Sequence, residues 1–398
     1  MLVNSITHSL LPVGTVPLAP PFGGCRHSWQ AGGSRVNIGG PPMRFSSHRY
    51  RQCRLLAASL LLAGVAIFGA APALAQDVGP EVPSPPPAFE FHSGFWVNLH
   101  VFLYAQARIA SGDATAAPPS AIAGQTGSPA PVLSPAERQA WSAAVAYYAS
   151  DLGQRDLTTS LDFARIADRL GELETCTDLS GRSKQACTSG LQPDLIRVLE
   201  SAAPIYRAHW WPQHDRANRA WIAQAAAPIE QMGANLADRL TTIYQEPWPR
   251  GRLRVDVVSF AGSEGAYTTL DPAHLVISSQ DPRNQGLYGF EVLFHQASEV
   301  LAGGVMKQIA DLCRQRDLPI PRDLGPALLY YTAGYAVQQE LAQSRPQSAP
   351  YTPYADRFGL YQGAWGEFHV LLDEYWRPYL DGTEEFDAAV EHLVAGIS

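Results

Sequence analysis

The spacing of apolar residues changes period twice along this chain of 398 residues, and that change limits its fold more than any other feature. From Ser134 to Gln245 apolar positions recur every three or four residues, the period of helices packed by one face. The segments LRVDVVSF, AYTTL and HLVISS, which follow Arg252, are alternating or β-branched, with Gly262 and Gly265 at the turn between the first two. Helical spacing returns beyond Gln285. The expectation is a mainly α protein with a small antiparallel β-sheet, of the α+β class. Within the first helical region the spacing predicts helices over 134–150, 160–173, 192–210, 212–227 and 229–245. Ser134, Pro135 and Glu137 open the first of these as a capping box with proline at the first helical position.

The N-terminal part reads as a targeting segment. Arg44, Arg49, Arg51 and Arg54 precede an apolar run from Leu55 to Ala70, and Ala73-Leu74-Ala75 follows: the three regions of a secretory signal peptide. The run is long enough for an uncleaved anchor, but Pro72 and the small-residue box favour cleavage near Ala75. Residues 1–42 are then expected to be a non-native extension with the true start at Met43, and 43–75 the signal peptide. Residues 76–90 form a Pro-rich linker, 91–250 a helical region, and 251–398 the sheet with its C-terminal helices. Gly112 to Val132 is low in complexity and reads as a loop.

Cleavage bears on partners and on cysteines. The first 75 residues carry six arginines and no carboxylate, so the formal charge falls from −8 to −14. An acidic chain without a basic stripe is a poor nucleic-acid binder, and no membrane span is expected after the signal. The location implied is periplasmic or secreted. There, Cys176 and Cys187, which flank a short polar loop, are expected to form a disulfide. Cys313 is left as a buried free thiol.

The segment FEVLFHQASEVL carries the chemistry. Side chains at i and i+4 stand on one face of a helix and can reach one metal ion. A strand pair followed by such a helix resembles the zincin metallopeptidases, with their H-E-x-x-H helix, over about Arg252 to Ala342. It resembles more closely a group of exported bacterial proteins whose helix reads F-H-E-A-S-H. The resemblance implies a zincin-like core of the gluzincin type, with zinc as cofactor. It places His295 as the first ligand, Gln296 where the general-base glutamate belongs, Glu299 as the second ligand, and Tyr335 at the position of the third. An amide cannot take a proton from water at neutral pH, so the peptidase site is expected to be degenerate and without a working cofactor.

Glu291, His295 and Glu299 form a polar stripe on an otherwise apolar helix, expected as an imidazolium between two carboxylates. Two other clusters read either as clefts or, more readily, as core packing: His209, His214 and Asp215 in YRAHWWPQHDRANRAW, and His92, Asn98 and His100 in FHSGFWVNLH. Dinucleotide, P-loop and nucleophile-elbow motifs are absent. The leading expectation is a non-catalytic binder or scaffold for a protein or peptide ligand. The alternatives are a metal-dependent hydrolase using His295 and Glu299, and a structural helical protein in which HQASE is coincidence.

Overall fold

The computed structural model describes residues 88–113, 131–157, 160–363 and 365–397. The expected extension, signal peptide and most of the linker, and most of the low-complexity stretch, lie outside these residues. Strand β1 (Phe89–His92) leads into α1 (Phe95–Ala110), and α2 (Pro135–Ser150), α3 (Leu161–Glu172), α4 (Pro193–His209) and α5 (Trp211–Tyr244) follow. Three strands come next, β2 (Leu253–Val258), β3 (Ala266–Leu270) and β4 (Ala273–Ser278). The chain closes with α6 (Leu287–Leu301), α7 (Gly303–Gln315), α8 (Leu324–Ser344), α9 (Tyr354–Arg357), α10 (Gly366–Leu371), a π-helical turn (Leu372–Trp376), α11 (Arg377–Leu380) and α12 (Phe386–Gly396).

Local chemistry sets most of these boundaries. At α2 the Glu137 N–H donates to Ser134 Oγ while the Ser134 N–H donates to Glu137 Oε2, the expected capping box. The two helices expected on either side of Pro228 are one 34-residue helix, α5, with that proline inside it. Proline removes one backbone hydrogen bond, but Ala225, Ile229, Met232 and Leu236 bury the same face across it and hold the helix together.

The sheet is mixed, which corrects the expected antiparallel one. Its order is β1-β2-β4-β3, with β1 and β4 both parallel to β2 and only the β3–β4 hairpin antiparallel. β4 inserts between β2 and β3, so β2 does not pair with its neighbour in sequence. Helices cover both faces, as parallel strands require. Leu253, Val255, Val257, Leu275 and Ile277 face one core, shared with α5, α6, α8 and α12. Val258, Tyr267 and Val276 face the other, shared with α1 to α4. Among the described residues no helix is long and apolar enough to cross a membrane.

Candidate functional site

Helix α6 carries the HQASE segment between the antiparallel edge strand β3 and helix α8. Phe290, Leu293, Phe294, Ala297 and Leu301 recur at helical spacing and are buried; full burial of each large side chain contributes about 1.5–3 kcal/mol. Gly289 allows the first turn to pack closely, because a Cβ there would lie 2.2 Å from the Asn284 carbonyl oxygen. Packing on three sides buries even the polar positions, so Glu291, His295, Gln296 and Ser298 all lie in the interior.

Gln296 is turned toward the sheet. The Thr268 hydroxyl of β3 donates to Gln296 Oε1 at 2.6 Å and approaches its main-chain oxygen at 3.1 Å, so the residue expected in the general-base position is tied to the edge strand. His295 faces α8, where the Tyr330 ring stacks on it at 3.6 Å between centroids, 15° from parallel. Tyr354 stacks in turn on Tyr330 at 5.6 Å. Glu299 Oε1 is 3.8 Å from His295 Nε2, ion-pair range but beyond a hydrogen bond.

The expected imidazolium between two carboxylates takes another form. Glu291 accepts from the Tyr351 hydroxyl at 2.7 Å and from the Tyr354 N–H at 3.0 and 2.9 Å, so its hydrogen bonds run to the segment beyond α8. Burial raises its carboxyl to about 8, against the lowering effect of those donors. Glu299 keeps 28% of its side-chain surface exposed, yet desolvation by the surrounding protein also raises it to about 8. Gly334 permits this packing: a Cβ there would sit 2.8 Å from Pro353 Cβ and 3.1 Å from Glu291 Oε1.

Tyr335 is not brought to His295. Its hydroxyl donates toward the Leu380 carbonyl oxygen at 2.9 Å and Asp381 Oδ1 at 2.8 Å, and the Arg377 guanidinium lies over its ring. The α8 residue that meets His295 is Tyr330. Zinc needs three protein ligands or more, and among the described residues no group of three or more His, Cys, Asp or Glu side chains is placed to hold a metal ion. A histidine and a carboxylate 3.8 Å apart, beside an amide bound elsewhere, do not fit a zinc centre.

The other candidate clusters resolve into separate packing contacts. His214 meets the Tyr206 hydroxyl at 2.8 Å and is lowered to about 4 by burial, whereas His209 pairs with Glu137 and Asp215 with Ser93 and Arg219. His100 meets the Tyr148 hydroxyl at 2.7 Å and burial lowers it to about 3. Asn98 bridges Gly94, Val257 and Ser259, and His92 pairs with Glu174. The disulfide Cys176–Cys187 is formed, and Cys313 is a buried thiol.

The sequence reading missed one charged network on the sheet. His274 of β4 donates through Nδ1 to Asp168 of α3 and through Nε2 to Asp256 of β2, each at 2.6 Å. Arg254 donates to Asp256 at 2.7 and 3.1 Å and to Glu174 at 3.1 Å. Burial alone would lower His274, but the two carboxylates outweigh it and raise the imidazole to about 9. Burial likewise opposes ionisation of Asp256, and the bonds from His274 and Arg254 still hold it below the usual carboxylate range. The signal was present in the sequence: Arg254 and Asp256 occupy alternate positions of an otherwise apolar strand.

No protein-family profile, curated protein or solved structure matches the chain.

Proposed function

We propose that this chain is an exported protein with a zincin-like core whose peptidase site is degenerate, and that it works as a non-catalytic binder or scaffold for a protein or peptide ligand. The observation that carries the reading is the hydrogen bond from Thr268 to Gln296 Oε1. It gives the base position an amide that cannot accept water's proton and fixes it against the strand that would line a substrate groove. The Tyr330 ring on His295 supports the same reading, since it covers a face of the imidazole. Elemental analysis and a chelator-sensitive peptidase assay on purified protein are the test. Stoichiometric zinc together with chelator-sensitive cleavage overturns the reading; their joint absence, with N-terminal sequencing that finds a start near Gln76, supports it.

The rival reading is a metal-dependent hydrolase using His295 and Glu299. It draws on the raised carboxyl of Glu299, a feature that clusters at functional sites, and the same assay decides between the two.

A further inference from the structure

Strand β1 closes the sheet at the end away from β3 and the α6 site, since the order is β1-β2-β4-β3. The Leu253 N–H donates to the Ala88 carbonyl oxygen at 3.0 Å, and main-chain groups alternate sides along a strand. Ala88, Glu90 and His92 therefore direct their N–H and C=O groups at β2, while Phe89 and Phe91 direct theirs outward. Among the described residues no other segment's main chain bonds those outward groups. Phe89–His92 also contains neither Lys nor Pro, the residues that most often blunt an open edge.

The two faces of this edge strand differ in chemistry. Phe89 and Phe91 turn toward the core shared with α5 and α6; the Phe91 ring lies 6.1 Å from that of Trp221 and is only half-buried. On the other face the Glu90 side chain is 56% exposed. His92 Nδ1 is bound by Glu174 at 2.9 Å, but its Nε2 stands 3.6 Å from Glu90 Oε1, beyond a hydrogen bond. One carboxylate and one imidazole nitrogen, two residues apart, thus keep bonding capacity on the same side of the strand.

Laid antiparallel on itself with Phe91 opposite Phe91, the sequence Phe89-Glu90-Phe91-His92 is self-complementary. The two Phe91 main chains exchange a pair of hydrogen bonds, each ring covers the open side of the other, and each Glu90 stands opposite His92 of the second copy. Glu90 and His92 then occupy the non-hydrogen-bonded positions, where cross-strand side chains come closest. A dyad at Glu90 would instead set two carboxylates face to face, and one at His92 two imidazoles. We infer that a second copy of this chain docks on the β1 edge in the Phe91-centred register, joining two four-stranded sheets across a two-fold axis. Because β1 and the α6 site lie at opposite ends of the sheet, the inference stands whether or not His295 binds metal.

Sedimentation velocity on the purified protein should show the weight-average mass rising from one chain toward two with concentration. Phe91→Pro removes an outward N–H that β2 does not use, and it should hold the protein at one chain with its helical circular dichroism retained. Glu90→Arg, at an exposed position, replaces both carboxylates of the dimer with cations facing an imidazole and should weaken association about tenfold. Cysteine pairing reads the register. Glu90→Cys mixed with His92→Cys should form an intermolecular disulfide under mild oxidation. Either variant alone should form far less, since like positions lie on the diagonal, too far apart to bridge. A single-chain mass at every concentration, association unchanged by both Phe91→Pro and Glu90→Arg, or disulfide formation no greater in the mixture than in either variant alone would each overturn the inference.

Discussion

Tyr330 lies flat on His295, with ring centroids 3.6 Å apart. Tyr330 and Gly334, one helical turn apart on α8, are therefore the residues that face the polar stripe of α6, with Gly334 opposite Glu291. Tyr335 is one residue further on, about 100° around the helix, and meets Asp381 instead. A zinc ligand built at 335 should accordingly fail where one at 330 succeeds. The triple variant Gln296→Glu, Glu299→His, Tyr330→Glu is expected to gain zinc in a competition titration. The same variant with Tyr335→Glu in place of Tyr330→Glu should gain none, and equal affinity of the two would contradict the assigned register.

Stability should stay roughly level between pH 4.5 and 6.5, where two raised carboxyls and two lowered imidazoles act in opposite directions, and fall on both sides of that window. His274, raised from 6.5 to about 9, stabilises fully below 6.5, and its contribution is lost as pH rises through 9. Glu291 and Glu299, raised from 4.5 to about 8, hold protons that the unfolded chain has released, so stability falls with rising pH from 4.5 to 8, less for the partly exposed Glu299. On the acid side His100 and His214, lowered from 6.5 to about 3 and 4, and Asp256, held below 3.8, withdraw their contributions as pH falls. Urea unfolding at pH 5, 6.5 and 8.5 checks the shape. His274→Gln should cost about 3–5 kcal/mol at pH 6.5 by leaving buried carboxylates without their partner, and it should flatten the alkaline limb.

Substitutions of Glu291 should separate charge from hydrogen bonding. Glu291→Gln keeps acceptor capacity for Tyr351 and Tyr354 and removes the cost of ionisation, so at pH 8 it should match or exceed the parent in melting temperature. Glu291→Ala leaves two donors unsatisfied and should destabilise by about 1–3 kcal/mol for each donor left buried. A lower melting point for the Gln variant at pH 8 would show that Glu291 is ionised in the fold.

Non-reducing peptide mapping should recover Cys176 joined to Cys187 and Cys313 as a thiol that reacts only on unfolding. Replacing both bridged cysteines by serine should cost about 2–3 kcal/mol, because the loop closed is short. The fold should survive the change, since Glu200 holds the Leu179 and Ser180 N–H groups and Arg169 holds the Thr188 and Ser189 carbonyls independently.

What was legible in the sequence was what is local. The Ser134 capping box, the polar stripe of α6 and the pairing of Cys176 with Cys187 depend on residues a few positions apart or on two cysteines in one loop. The sheet topology depends on partners far apart: β1 is four residues long, and its register sets Phe89 against Leu253. Nothing near Phe89 announces that partner. The His274 network is not legible for a related reason, since its carboxylates come from α3 and from another strand. That Tyr330 meets His295 while Tyr335 meets Asp381 is likewise not legible, because the periodicity of α8 identifies a helix without saying which side meets α6.

The long reach of β1 has a consequence for how the chain is made. During synthesis Phe89–His92 leaves the ribosome well before Leu253–Asp256, the strand it must pair with. Until then its backbone donors and acceptors have no ladder to join, and a short aromatic strand in that condition is open to wrong neighbours. The helical region between the two strands can close locally in the meantime. Completing the sheet is thus a late, long-range step, and slow refolding should track the arrival of β2 beside β1.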